Sequence, residues 1–274
     1  MDLKSPVTVS EMSCRVTRSM SRRESEKSTR SLADVTVTKR KAGTRRPPAG
    51  RVLPASRTAP IQNEHFGLVQ ESVGTDLYKL LVAAVLWNRT RGVQARPVFL
   101  KLTSNYPSPE DLAEASISHL SDLLHPLGLH NSRARRLVAF ARAWVQNPPS
   151  KSRRYRKLHY PFRGDGLDIG KNEVLAEDDE REGWEVAHLP SLGPYALDSF
   201  RIFHRDILRG LAEDWNGKGA GPGFESEWKR VVPMDKDLRA YIRWRWLKEG
   251  WVWDAETGTK VRASKKSSRT ELAQ

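Results

Sequence analysis

The 22 Phe, Tyr and Trp residues of this 274-residue chain all lie beyond residue 60, beginning at Phe66. A core forms only where enough apolar surface is buried to offset chain entropy, so residues 1–60, rich in Ser, Thr, Arg and Lys, are expected to be a disordered basic arm. Charge divides the chain in the same way. Of a formal net charge of +14, residues 1–60 carry +9 and residues 260–274 carry +4, which leaves +1 for residues 61–259. The first segment reads as an electrostatic arm for polyanions with a nuclear import signal at Lys39-Arg40-Lys41 and Arg45-Arg46, with a merely solvated tail as the plainer alternative. The last reads as a basic C-terminal tail.

Composition also excludes several classes. The longest apolar run, Leu80–Trp87, falls well short of the roughly 20 residues a membrane-spanning helix needs, so no membrane association is expected. Cys14 is the single cysteine. The chain therefore cannot form an internal disulfide, a four-cysteine iron–sulfur cluster or a zinc site built on several thiolates. An intracellular, reduced protein without a secretory leader is expected. His119, His125, His130 and His188 do not form a spaced ligand set with acids, so no metal catalysis is implied.

Between the tails, helical spacing dominates. Leu77, Leu80, Leu81, Ala84 and Val85 predict a buried helix capped by Asp76. Further helices are predicted near Gln94–Asn105 with Pro97 in the first turn, through Asp111–Ala115 and Ser118–Leu124, from Ser132 to Trp144, and over Leu197–Leu208. A last one, led in by Pro233-Met234-Asp235, carries Leu238, Tyr241, Trp244 and Trp246. No alternating strand run stands out, so the fold class expected is all-α. Two intervals lack a helical period and read as insertions near 148–186 and 209–226. The first joins the basic run Lys151–Lys157, which reads as a solvated loop with phosphate binding as the alternative, to a stretch with seven acids over 171–187. The second holds Asn216–Gly223, a glycine-rich connector rather than a phosphate cradle, because no Gly-Lys-Ser/Thr follows it.

Leu189-Pro190-Ser191-Leu192-Gly193-Pro194-Tyr195-Ala196 reads as a tight turn between Trp184–His188 and a following helix. Such a helix-hairpin-helix presents turn amides and a helix N-terminus to a DNA phosphate, although a plain connector has the same appearance. An aspartate at the start of a later helix, Asp235, makes the pattern more specific, and together they resemble the helix-hairpin-helix superfamily of DNA glycosylases. The likeness narrows with Gly67-Leu68-Val69-Gln70-Glu71, Tyr78-Lys79-Leu80-Leu81, Leu86-Trp87-Asn88-Arg89-Thr90, Tyr106-Pro107-Ser108, Pro126-Leu127-Gly128-Leu129, Asp198–Phe203, and Trp228-Lys229 with Leu238 and Tyr241. In order and over most of 61–250, these resemble the glycosylase domain of methyl-CpG-binding thymine/uracil mismatch DNA glycosylases. The aromatic-free arm carries no methyl-CpG-binding domain.

The resemblance implies two helical lobes with the active site in the cleft between them. It also implies residue roles. Asp235 matches the catalytic aspartate, which would stabilise an oxocarbenium-like sugar and orient the attacking water; an N-cap is its plainer reading, and the two are compatible. Tyr195 stands where bifunctional relatives carry a Schiff-base lysine, and a phenol cannot form an imine. Gln70 matches a glutamine that pairs with the imide edge of thymine or uracil. Arg89 and Leu129 match the residues that enter the helix when a nucleotide is extruded, although a helix-end arginine and a core leucine are the plain readings. Leu192, Gly193 and Pro194 match the phosphate-binding hairpin, in which Ser191 replaces the usual glycine. Asp237 departs from a basic family position. Trp87, Trp244 and Trp246 are expected to be core.

The implied activity is monofunctional hydrolysis of the N-glycosidic bond of thymine or uracil mispaired with guanine, on double-stranded DNA with a mismatched or damaged base, by a nuclear monomer. The alternatives are a non-catalytic DNA-binding module of the same fold and a bifunctional glycosylase/lyase using Lys236. No cofactor and no iron–sulfur cluster are implied, while backbone carbonyls of the hairpin could hold a monovalent cation.

Overall fold

The computed structural model describes residues 59–263. Nearly all of the expected disordered arm, and residues 264–274 of the expected tail, lie outside that range. At the arm's end, Ala59 is buried and the Pro60 carbonyl accepts the indole N–H of Trp244 at 3.1 Å, so the packed domain begins before residue 61.

Nine α-helices carry most of the regular structure among the described residues: α1 Val69–Val73, α2 Leu77–Trp87, α3 Gly92–Asn105, α4 Pro109–Ala113, α5 Ile117–Leu124, α6 His130–Gln146, α7 Pro194–Phe203, α8 Arg205–Leu208 and α9 Lys236–Lys248. Leu80 to Leu86 are all buried, so α2 has no solvent face along that stretch and serves as the central strut. Asp76 caps it by accepting the N–H of Lys79 at 3.0 Å. Pro97 lies in the second turn of α3 rather than the first, because that helix starts at Gly92. Ser108 and Asp111 close a capping box on α4.

Two apolar clusters divide the helices. The first joins α2 through α6 to the start of α7, around Leu81, Phe99, Leu120, Leu137, Phe140 and Phe200. The second gathers Phe66, Leu68, Ile202, Phe203, Trp228 and α9, with Trp244 and Trp246 buried as expected. α2 and α7 contribute to both clusters, so the two lobes share them.

Four predictions need correction. Two short antiparallel pairs exist: β1 Arg154–Tyr155 with β2 Val174–Leu175, and β3 Trp251–Trp253 with β4 Lys260–Arg262. The second pair carries regular structure three residues past the expected boundary at 259. The helix expected over Leu197–Leu208 starts at Pro194 and breaks at His204, whose ring bonds the Gly74 carbonyl at 2.7 Å. Trp184–His188, expected as the first arm of the hairpin motif, forms tight turns instead of a helix. Trp184 exchanges backbone hydrogen bonds with Tyr155, which leaves only five residues before Pro190.

The interval 148–186 is helix-free, as predicted, but it is packed rather than loose. Tyr160, Ile169, Leu175 and Trp184 are all buried. A buried ionic network fastens it to α7 and α8. Glu185 accepts from Arg205 at 3.2 Å and Arg209 at 3.0 Å, and Glu227 accepts from Arg201 at 2.6 Å and Arg205 at 2.9 Å. The guanidinium groups of Arg201 and Arg205 also lie 4.5 and 4.6 Å from the Trp184 ring.

Candidate active site and DNA-facing surface

A cavity of about 810 Å³ opens where the lobes meet, and Gln70, Arg89, Tyr195 and Asp235 all line it. Four segments far apart in the chain deliver them. Gln70 is in the first turn of α1, which is held by the Glu71 carboxylate folding back onto the N–H groups of Phe66, Gly67 and Leu68. Tyr195 is the second residue of α7. Asp235 is the N-cap of α9, and its Oδ1 accepts the N–H groups of Asp237 at 2.9 Å and Leu238 at 3.1 Å. The N-cap reading of Asp235 thus holds: capping fixes one carboxylate oxygen and orients the group at the cavity wall, a position compatible with the catalytic reading.

Gln70 is 1% exposed, and its Nε2 donates to the Tyr195 hydroxyl at 2.7 Å and to Ser199 Oγ at 3.4 Å. Burial, with the Asp235 carboxylate nearby, pushes the Tyr195 phenol above its ordinary pKa, so it stays protonated at neutral pH. Asp237 and Lys236 line the same cavity, so it holds a second carboxylate and an amine.

Arg89 and Leu129 occupy two exposed turns and both have left-handed backbone, φ 58° and 51°. Leu129 is 78% exposed, which rules out the core reading. It does not line the cavity, yet its turn is tied to that of Arg89. The side chain of Arg133, in the first turns of α6, donates Nε to the Gly128 carbonyl at 3.2 Å. Its Nη1 reaches Val85 and Leu86 carbonyls at 3.2 Å, and its Nη2 reaches Thr90 Oγ1 at 2.7 Å and the Asn88 carbonyl at 3.3 Å. One guanidinium thus caps α2 and clamps both turns.

In the hairpin, Gly193 is the N-cap of α7 and Pro194 its first residue. Leu192 is 2% exposed, so its side chain belongs to the core and only its backbone faces the turn. Ser191 takes the glycine-like conformation, φ 72°, so the turn is kept without the glycine. The Leu192 carbonyl accepts the ammonium of Lys157 at 2.6 Å.

Sequence reasoning missed Arg133, Lys157 and Ser199, whose partners are distant in sequence. It also passed over Arg91 and Arg96, exposed on the cavity rim. Their signal was present as three arginines within Asn88–Arg96.

Residues 82–250 match the family model described as HhH-GPD superfamily base excision DNA repair protein. A thymine-DNA glycosylase of Aeropyrum pernix is 34% identical over 178 residues, covering 60% of this chain and 68% of the relative. An endonuclease III of Thermotoga maritima is 33% identical over 72 residues, 26% of this chain and 34% of the relative. A thymine/uracil-DNA glycosylase of Pyrobaculum aerophilum is 36% identical over 59 residues, 22% and 26% respectively. A solved structure of a thermostable thymine-DNA glycosylase covers 50% of each chain at 19% identity with a TM-score of 0.33. The family match and the Aeropyrum relative show that the chain belongs to the HhH-GPD superfamily of base excision DNA repair proteins and is a DNA N-glycosylase.

Proposed function

We propose that this glycosylase removes thymine or uracil mispaired with guanine, and that it is monofunctional. The observation that carries the reading is the Gln70–Tyr195–Asp235 arrangement in one cavity. Gln70 Nε2 is committed to Tyr195 and Ser199, which leaves Oε1 to accept the N3–H of an extruded thymine or uracil. Cytosine has an acceptor at N3 and would be repelled there. The printed names of the Aeropyrum and Pyrobaculum relatives, thymine and thymine/uracil glycosylases, support the same substrate class.

The reaction follows from the groups present. As the C1′–N1 bond breaks, its electron pair leaves with the base and C1′ becomes cationic. The Asp235 carboxylate stabilises that cation, and water adds to C1′ while its proton passes to Asp235 Oδ2. The proton held by Asp235 passes through solvent to the base anion, giving free thymine or uracil and an abasic sugar and restoring the carboxylate. Arg89 and Leu129 fill the space that the extruded nucleotide leaves.

A bifunctional reading has one observation in its favour, Lys236 at the cavity wall. One experiment separates the readings. Duplexes with a single G·T or G·U pair are incubated with protein, abasic sites are measured, and borohydride is added during turnover. The expected result is base release, strand scission only after alkali or heat, no trapped adduct, and no release by Asp235→Asn. A trapped adduct that Lys236→Ala abolishes would make the enzyme bifunctional. Binding without release from any lesion duplex would favour the non-catalytic module.

We further propose that the protein acts as a nuclear monomer whose arm binds DNA through Lys39-Arg40-Lys41 and Arg45-Arg46, residues outside the described range. A fluorescent fusion with these five neutralised should leave the nucleus. Sedimentation should give one chain per particle.

A further inference from the structure

We propose that Lys157 is the hairpin's built-in cation: its ammonium takes, on the Leu192 carbonyl, the place a monovalent metal ion would fill, and lends its charge to a DNA phosphate at the hairpin. The inference rests on the reading that this hairpin faces DNA. It assigns a purpose to the insertion at 148–186.

The turn before α7 leaves one peptide carbonyl without a backbone N–H partner. Gly193 O is used, accepting from Ala196 at 3.0 Å and Leu197 at 3.1 Å. Leu192 O, one residue earlier, is left over, and Lys157 Nζ lies 2.6 Å from it. That is an ammonium on a carbonyl, the same charge and contact distance that a hydrated-to-bound Na⁺ or K⁺ would offer. With the ammonium on it, the Leu192 carbonyl is no longer free to ligate a metal ion.

The insertion is built to hold Lys157 there. The next anchored side chains on either side reach different partners: Arg156 donates to the Ile169 carbonyl at 2.7 Å, and Tyr160 donates to Asp198 Oδ1 at 2.7 Å. Gly166 packs so closely on the Lys157 backbone that an added Cβ would come within 2.9 Å of its carbonyl oxygen. Among the described residues no carboxylate pairs with the Lys157 ammonium, so its charge is not cancelled locally. Burial of the ammonium lowers its pKa from the ordinary lysine value, a cost accepted only where a fixed contact offsets it. An uncancelled cation beside the N-terminus of a ten-residue helix adds to that helix's attraction for phosphate.

The test is binding of the full chain to a short undamaged duplex, read by fluorescence anisotropy over the same series of concentrations of KCl, NaCl or tetramethylammonium chloride. It needs no base release, so it stands apart from the excision assay. The wild type should bind within about twofold in all three salts. Lys157→Met should weaken binding about tenfold in tetramethylammonium and reduce the slope of log affinity against log salt by about one, the signature of one lost phosphate contact. Lys157→Arg should stay close to wild type, and the melting temperatures of the variants show whether Lys157→Met has merely unfolded. If the wild type binds well only in KCl or NaCl, a metal ion holds the hairpin and the proposal falls. It falls equally if a folded Lys157→Met binds like the wild type in every salt.

Discussion

The side-chain amide of Gln70 donates to the hydroxyl of Tyr195 at 2.7 Å, joining the first turn of α1 to the first turn of α7 across the cavity floor. The tyrosine therefore sets which way a buried amide points. Tyr195→Phe removes the acceptor and leaves Gln70 Nε2 with only the 3.4 Å contact to Ser199. The expected outcome is a fall of about tenfold in kcat/KM on G·U and a narrower gap between uracil and cytosine, since a fixed hydrogen-bond pair is worth about 1 kcal/mol or more. Steady-state kinetics on matched duplexes reads both, and an unchanged uracil-to-cytosine ratio would remove Tyr195 from base selection.

Arg133 should matter for duplex substrates far more than for single strands. Its guanidinium fixes the turns of Arg89 and Leu129 relative to each other, and in the function proposed above those turns serve only where a hole in the helix must be filled. Arg133→Ala should lower excision from a G·U duplex by about tenfold or more while changing excision from single-stranded uracil DNA by less than about threefold. Arg133→Lys can satisfy one turn but not both, so it should rescue little. Equal losses on both substrates would mean that Arg133 serves stability alone.

Ser191→Gly should stabilise the protein. Ser191 is exposed with φ 72°, and a non-glycine residue pays about 1 kcal/mol there. The gain expected is about 0.5–1 kcal/mol by denaturant unfolding, with Ser191→Val shifting the other way because a β-branched side chain tolerates that backbone poorly.

Asp198 gives a pH signature. It is 4% exposed, and burial raises its carboxyl to about 6 despite the Tyr160 hydroxyl donating to it at 2.7 Å and Arg201 nearby. The folded pKa lies above the unfolded one. Its contribution is therefore complete below about pH 4 and is lost as pH rises through about 6, a difference of at most about 3 kcal/mol. Asp198→Asn, which keeps an oxygen to accept from Tyr160, should gain stability relative to wild type at pH 7.5 compared with pH 4.5. A gap between the two proteins that does not change with pH would show that Asp198 is not ionising in this range.

Much of the fold could be read from the chain because its helices advertise themselves locally. The apolar run of α2, the Asp76 and Ser108 caps and the Pro-Asp lead into α9 are all signals within one or two turns. Asp235 is legible as an N-cap for the same reason. What escaped depends on partners far away. A two-residue strand is too short to show alternation, and the break at His204 is set by a carbonyl 130 residues earlier. Leu192 was assigned to the phosphate hairpin, yet its side chain is core and only its carbonyl serves the turn. Arg133 looks like one of several arginines on a helix until the carbonyls of two loops are placed around it. Lys157 sits in a basic run that reads as solvated until the fold brings it to a carbonyl 35 residues later.

The buried ionic network has a consequence for anyone wishing to trim this protein to a minimal enzyme. Glu185 closes the first insertion and Glu227 follows the second, and between them they neutralise Arg201 and Arg205 on the helices behind the hairpin. Cutting out the second segment together with Glu227 would leave Arg201 without a carboxylate in a dry interior, a penalty of several kcal/mol, whereas cutting out the first with Glu185 would leave Arg201 and Arg205 to share Glu227. One shared carboxylate thus ties both segments to the helices they flank, and a shortened version that gives up Glu227 must replace Arg201 in the same step.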